Sequence, residues 1–143
     1  MKLKLKLSKT LKRQLKEQAA LKEMDRVEYV LSALKEHIQS KKELWQETVE
    51  SYPALLEKRQ SDLVLLKEAL EENDMPVEEK RAELKAFYSE NHMYLDFENK
   101  NRKFENLILQ LNETDFYALK IIADESKVTL ESYSVTFLHH LVK

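Results

Sequence analysis

The sequence predicts a mainly α-helical protein: two units of one short β-strand and two helices each, their strands paired as an antiparallel ribbon, joined by a helical hairpin. Three observations carry this. The first residues, Met1-Lys-Leu-Lys-Leu-Lys-Leu7, alternate lysine with leucine at period 2 and then give way to helical spacing. The same pattern returns 104 residues later without a gap. Between the copies, apolar residues four and three apart mark longer helices.

In an extended strand Leu3, Leu5 and Leu7 face a core, while Lys2, Lys4 and Lys6 project together from the other side as a row of cations suited to a DNA groove. Lysine is also a common guard on exposed strand edges. Leu11, Leu15 and Ala19 then define one amphipathic helix, and Val27, Val30, Leu34 and Ile38 a second, with a break around Glu23-Met24-Asp25. This first unit spans residues 1–38.

Residues 39–105 form the connecting hairpin. Trp45, Val49, Tyr52, Leu56, Leu63, Leu66 and Leu70 follow a heptad seam in which Arg59 is the polar member, and Leu55, Val64 and Leu65 widen the apolar surface. Pro53 falls inside this series, so the helix either kinks there or starts afresh near Ser51-Tyr52-Pro53. Glu72-Asn-Asp-Met-Pro76 is a clearer break. Asp74 is expected to cap a following helix with Val77, Arg81, Leu84 and Tyr88 along one face. Beyond it, Met93, Leu95 and Phe97 alternate like a strand, whereas the seven-residue spacing of Phe97 and Phe104 suits a helix. Helix is favoured, with a strand-turn-strand through residues 98–101 as the alternative.

The second unit occupies residues 106–143. Leu107, Leu109 and Leu111 repeat Leu3, Leu5 and Leu7; Thr114, Leu119, Lys120, Ala123, Tyr133 and Leu138 fall on Thr10, Leu15, Lys16, Ala19, Tyr29 and Leu34. Thr129 has the hydroxyl expected of a helix N-cap. The outward ribbon residues here are Asn106, Ile108 and Gln110, none of them basic. A single strand cannot bury its leucines alone, so the two copies are expected to pair. Pairing within one chain, through residues 2–7 and 106–111, is the first choice; like-with-like pairing between chains is the alternative.

The segment Leu3-Lys-Leu-Lys-Leu-Ser-Lys-Thr-Leu11, with Leu15, Ala19, the break at Met24-Asp25 and Val27-Glu-Tyr-Val-Leu-Ser-Ala-Leu34, resembles the ribbon-helix-helix family of DNA-binding proteins. The resemblance implies a two-stranded ribbon entering the major groove, with Lys2, Lys4 and Lys6 at base-reading positions. It also implies a phosphate held by backbone amides at the start of the second helix, which maps onto Asp25-Arg26-Val27. Asn106 and Gln110 complete the expected DNA-facing set. The family's usual glycine before that turn is replaced by Glu23.

Composition narrows the function classes. Glycine is absent, which excludes the glycine-rich phosphate loops of dinucleotide and Walker-type sites. Cysteine is absent too, which removes disulfides, thiolate catalysis and zinc–thiolate centres. His139 and His140 are adjacent and point about 100° apart on a helix, so they cannot form an i, i+4 metal pair. His37 and His92 have no evident partner. Glu68, Glu71 and Glu72 lack a Glu-x-x-His companion and read as a solvated face. No enzyme activity, cofactor or metal is expected, nor is a membrane partner, since no apolar run reaches spanning length. The cytoplasm is the expected location.

The net charge of −2 conceals an asymmetry: ten Lys/Arg against five Asp/Glu in residues 1–38, eleven against sixteen in 39–105, three against five in 106–143. An acidic protein with one basic end suits docking through that end. The expected partner is double-stranded DNA, and the expected role that of a sequence-specific binder: a transcriptional repressor, or an accessory factor in plasmid or phage DNA transfer or partition. The alternative is a protein-interaction or inhibitory module that has lost DNA binding. The hairpin could then serve a homo-oligomer or a protein partner.

Overall fold

The computed structural model describes residues 1–91 and 107–143. In chain order the elements are β1 (Lys2–Leu5), α1 (Lys9–Leu21), α2 (Arg26–Ser40), the single-turn α3 (Lys42–Trp45), α4 (Tyr52–Glu72), α5 (Val77–Asn91), β2 (Leu107–Gln110), α6 (Glu113–Glu125) and α7 (Leu130–Leu141). The protein is therefore mainly helical, with one two-stranded antiparallel sheet among the described residues. Asn106 and the segment 93–104, with its expected helix, lie outside them. No described helix is long and apolar enough to cross a membrane.

The two strands pair within the chain. Lys2 lies opposite Gln110, Leu3 opposite Leu109, Lys4 opposite Ile108 and Leu5 opposite Leu107. The Met1 amino group donates to the Leu111 carbonyl at 2.7 Å, and the Leu111 amide returns a bond to the Met1 carbonyl at 2.8 Å. Residues 1 and 111 are thus a hydrogen-bonded pair, and the alternation of an antiparallel ladder makes Lys4 and Ile108 a non-hydrogen-bonded pair, the closer kind. Lys4 and Ile108 are also equivalent positions in the 104-residue repeat, so a pseudo-two-fold axis passes between them.

Period 2 sends every ribbon leucine to one side. Leu3, Leu5, Leu7, Leu107, Leu109 and Leu111 are all buried, in one cluster with Leu11, Leu15, Val30, Leu34, Ile38, Leu119, Ile122 and Leu138. Burial of each such side chain contributes roughly 1.5–3 kcal/mol, and neither strand can supply it alone.

The first helices of the two copies, α1 and α6, repeat in length, cap and closing turn. Ser8 Oγ accepts from the Leu11 amide at 3.1 Å to cap α1, and Asn112 Oδ1 accepts from the Asp115 amide at 2.7 Å to cap α6. Both helices end in the same turn: the Met24 amide reaches back to the Ala19 carbonyl at 2.9 Å, and the Val128 amide to the Ala123 carbonyl at 3.2 Å. That turn needs a left-handed residue. Glu23 (φ 55°) and Lys127 (φ 58°) supply it, one in each copy. Thr129 caps α7 as expected, its hydroxyl accepting from the Ser132 amide at 3.1 Å.

Of the two readings of Pro53, a fresh start is observed: α4 begins at Tyr52 with the proline in its first turn. The hairpin is fastened to the double unit by Trp45, whose indole N–H donates to the Ile38 carbonyl at 2.9 Å. Further out, Leu63 and Leu70 of α4 are buried. Two details of α5 depart from expectation. Asp74 is not its cap, because proline lacks an amide and presets φ, so the helix starts directly after Pro76, whose carbonyl accepts from Glu79 and Lys80. Its inward face is also rotated: Val77 is 63% exposed and Tyr88 40% exposed, while Lys80, Leu84 and Phe87 are half-buried.

A left-handed conformation costs a non-glycine residue about 1–2 kcal/mol, and glycine gives back ~0.4–1 kcal/mol of that gain through its looser unfolded state. Glu23→Gly and Lys127→Gly are therefore each expected to stabilise the protein by up to about 1 kcal/mol, additively, as read by urea denaturation. Destabilisation by either would show that the side chain's contacts outweigh the backbone strain.

Candidate nucleic-acid interface

The ribbon's second face is its polar one. Lys2 and Lys6 are exposed and Lys4 is half-buried between them; across the ladder, Gln110 is exposed opposite Lys2 and Ile108 is 50% exposed opposite Lys4. Lys6 follows directly on the paired residues of β1. At about 3.4 Å per residue, the three lysines recur roughly every 7 Å along the strand. Asn106, the remaining expected member, lies outside the described residues.

Arg26 and Val27 are in the first turn of α2, both half-buried. Asp25 precedes them as the N-cap residue, but its carboxylate makes no capping hydrogen bond to the helix amides. The first-turn amides therefore have no side-chain cap, unlike those of α1, α6 and α7. Uncapped amides at the positive end of a helix favour an anion.

These residues form one wall of a groove of about 700 Å³ between α1 and the start of α2. Its rim carries Lys9, Lys12, Arg13, Lys16 and Arg26, against the single acid Asp25; Ala19, Ala20, Met24 and Val27 line the rest. The α1 cations are exposed, and Arg13 pairs with Glu17 at 3.7 Å on the surface. Lys9 comes three residues after Lys6, so the groove begins where the ribbon ends. The sequence singles out Arg26 and Val27; the α1 cations join them only through the fold. Their signal was present: they fill the exposed positions between buried Leu11, Leu15 and Ala19.

The same surface on the second unit has other chemistry. Glu113, Tyr117, Lys120 and Asp124 of α6 are the repeat equivalents of Lys9, Arg13, Lys16 and Ala20. The residues leading into α4 lie against Tyr117 and Asp124 and leave Glu113 exposed. The Tyr52 hydroxyl donates to Asp124 Oδ2, the Tyr52 and Tyr117 rings are 5.9 Å apart, and Lys120 Nζ is 3.8 Å from Asp124 Oδ1. Lys120 is only 3% exposed. Burial, with Glu113 as a smaller contributor, raises the Tyr117 pKa above the ordinary tyrosine value.

His37, partnerless by sequence, sits between the two units. Its Nε2 is 2.6 Å from the Tyr133 hydroxyl, and its ring centroid is 4.7 Å from that of Phe137. Burial, then the Lys41 charge, lowers its pKa; burial raises that of Tyr133. His139 and His140 are exposed. Among the described residues no group of three His, Cys, Asp or Glu could hold a metal ion.

Tyr52→Phe removes the donor to a largely buried carboxylate. It is expected to cost about 1–3 kcal/mol, read as a fall in the urea midpoint; an unchanged midpoint would mean the contact contributes nothing to anchoring the hairpin. No protein-family model, curated protein or solved structure matches this chain.

Proposed function

We propose that this protein is a sequence-specific DNA binder on the ribbon-helix-helix plan, with both units of the usual dimer carried on one chain. The observation that supports it best is the row Lys2, Lys4, Lys6 on the outward face of a two-stranded ribbon whose leucines are buried behind it. A two-stranded ribbon fits the B-DNA major groove, and lysines there donate to guanine O6 and N7. Gln110 matches adenine, and Ile108 offers an apolar surface to a thymine methyl. Arg26 and the uncapped amides of α2 suit a backbone phosphate. Repression of transcription, or an accessory role in plasmid or phage DNA transfer or partition, fits such a binder, and the cytoplasm is the matching location.

A second reading is supported by the hairpin. Val64 (54% exposed) and Leu65 (62% exposed) put apolar side chains on the outer side of α4, which suits a protein contact, with or without DNA binding.

The test is the triple variant Lys2→Ala, Lys4→Ala, Lys6→Ala, measured by fluorescence anisotropy on a duplex selected from a random library by the full-length protein. Each lysine at a base edge is worth ~1–3 kcal/mol of discrimination, so the triple variant is expected to lose specific binding while keeping its circular dichroism spectrum and melting temperature. A folded triple variant with undiminished affinity would sink the reading.

A further inference from the structure

The pseudo-two-fold axis between Lys4 and Ile108 allows the two flanks of the ribbon to be compared position by position. On the first flank the groove between α1 and α2 is open, its rim cationic. On the second, the face of α6 that corresponds to it is partly covered by the chain itself: Tyr52 bonds to Asp124, while Val49, Glu50 and Pro53 share the lining of a smaller pocket, about 230 Å³, with Glu113, Thr114 and Tyr117. The cation on that face, Lys120, is buried against Asp124. The start of the second helix differs in the same sense. Arg26-Val27 of α2 correspond to Leu130-Glu131 of α7, and Thr129 already caps the α7 amides that Asp25 leaves uncapped in α2.

These are separate differences, in side-chain charge, in capping and in cover, and all make the same flank less suited to an anion. Glu113 stands where the first flank has Lys9, so that position repels a phosphate instead of attracting it. A symmetric ribbon dimer holds the DNA backbone identically on both sides. This chain has the means to do so on one.

We propose that the protein grips the DNA backbone on a single flank of the ribbon, through the α1/α2 groove, with the opposite flank lacking that cationic rim and partly covered by residues 49–53. The proposal rests on the DNA-binding reading and adds polarity to it. The complex then has a head and a tail: one orientation of the chain on an asymmetric site, with backbone contacts on one side of the base pairs that the ribbon reads. The α4/α5 hairpin, rooted on the partly covered flank, then always leaves from the same side of that site.

The test uses the full chain and the duplex it selects from a random library. Phosphate ethylation interference on that duplex is expected to map to one side of the ribbon-contacted base pairs. The variant Lys12→Gln, Arg13→Gln is expected to weaken binding at least tenfold and to erase that interference, with the slope of log affinity against log salt falling by about 0.9 per cation removed. Both residues are exposed, so the fold is retained, as circular dichroism will verify. Interference placed symmetrically on both flanks overturns the proposal and leaves the DNA-binding reading standing. An unchanged salt slope in the double variant overturns it equally. Failure to select any duplex at low salt overturns the DNA-binding reading itself, and the proposal with it.

Discussion

Leu3 and Leu5 meet Leu109 and Leu107 across a ribbon whose strands come from opposite ends of the chain, and the rest of the structure depends on that meeting. Among the described residues each strand is four residues long and has a single neighbour. An isolated pair of this size is marginal in water. It persists because one face is closed by α1, α2, α6 and α7, which bury six leucines behind the ribbon. The closure entropy of so long a loop grows only logarithmically with its length. Its effect falls on the folding rate, since these non-local contacts must form before either unit has a core.

Much of this was legible in the chain, and the reason is periodicity. Alternating leucines give one buried face whatever lies around them, and the gap-free repeat carries caps, turns and core positions from one unit to the other. The Glu23 position is instructive. The absence of glycine there is a departure from the expected turn, yet the backbone adopts the left-handed conformation regardless, and Lys127 does the same in the second copy. The turn is imposed by the helices on either side of it, which hold two residues in a region each would avoid alone.

What the sequence hid depends on contacts between distant residues. Tyr52 and Asp124 are 72 positions apart, His37 and Tyr133 are 96 apart, and neither pair has a local signature. The groove cations of α1 were overlooked because exposed lysines on an amphipathic helix are ordinary until a second wall is found beside them. In α5 the spacing points to a face of Val77, Arg81, Leu84 and Tyr88, but the helix half-buries Lys80, Leu84 and Phe87 and leaves Val77 in solvent. Packing against one neighbour, rather than the longest apolar run, set its rotation.

Carrying both units on one chain has a physical consequence beyond tethering. In a dimer of identical chains every substitution appears on both flanks, so a residue that suits one and harms the other cannot be kept. Here the two flanks differ: basic and open around α1, acidic and partly covered around α6. The central claim beneath that asymmetry is that β1 and β2 pair within one molecule. The chain has no cysteine, so Lys4→Cys with Ile108→Cys introduces the only two thiols, at a close non-hydrogen-bonded pair on the outward face, away from the leucine core. Mild oxidation at low protein concentration, followed by non-reducing electrophoresis and mass spectrometry, decides the matter. The account predicts a monomer that migrates faster than its reduced form, with one intramolecular disulfide joining the two substituted positions. Covalent dimers in which each introduced thiol is linked to the same position of a second chain, or thiols that stay reduced in the folded protein, would contradict it.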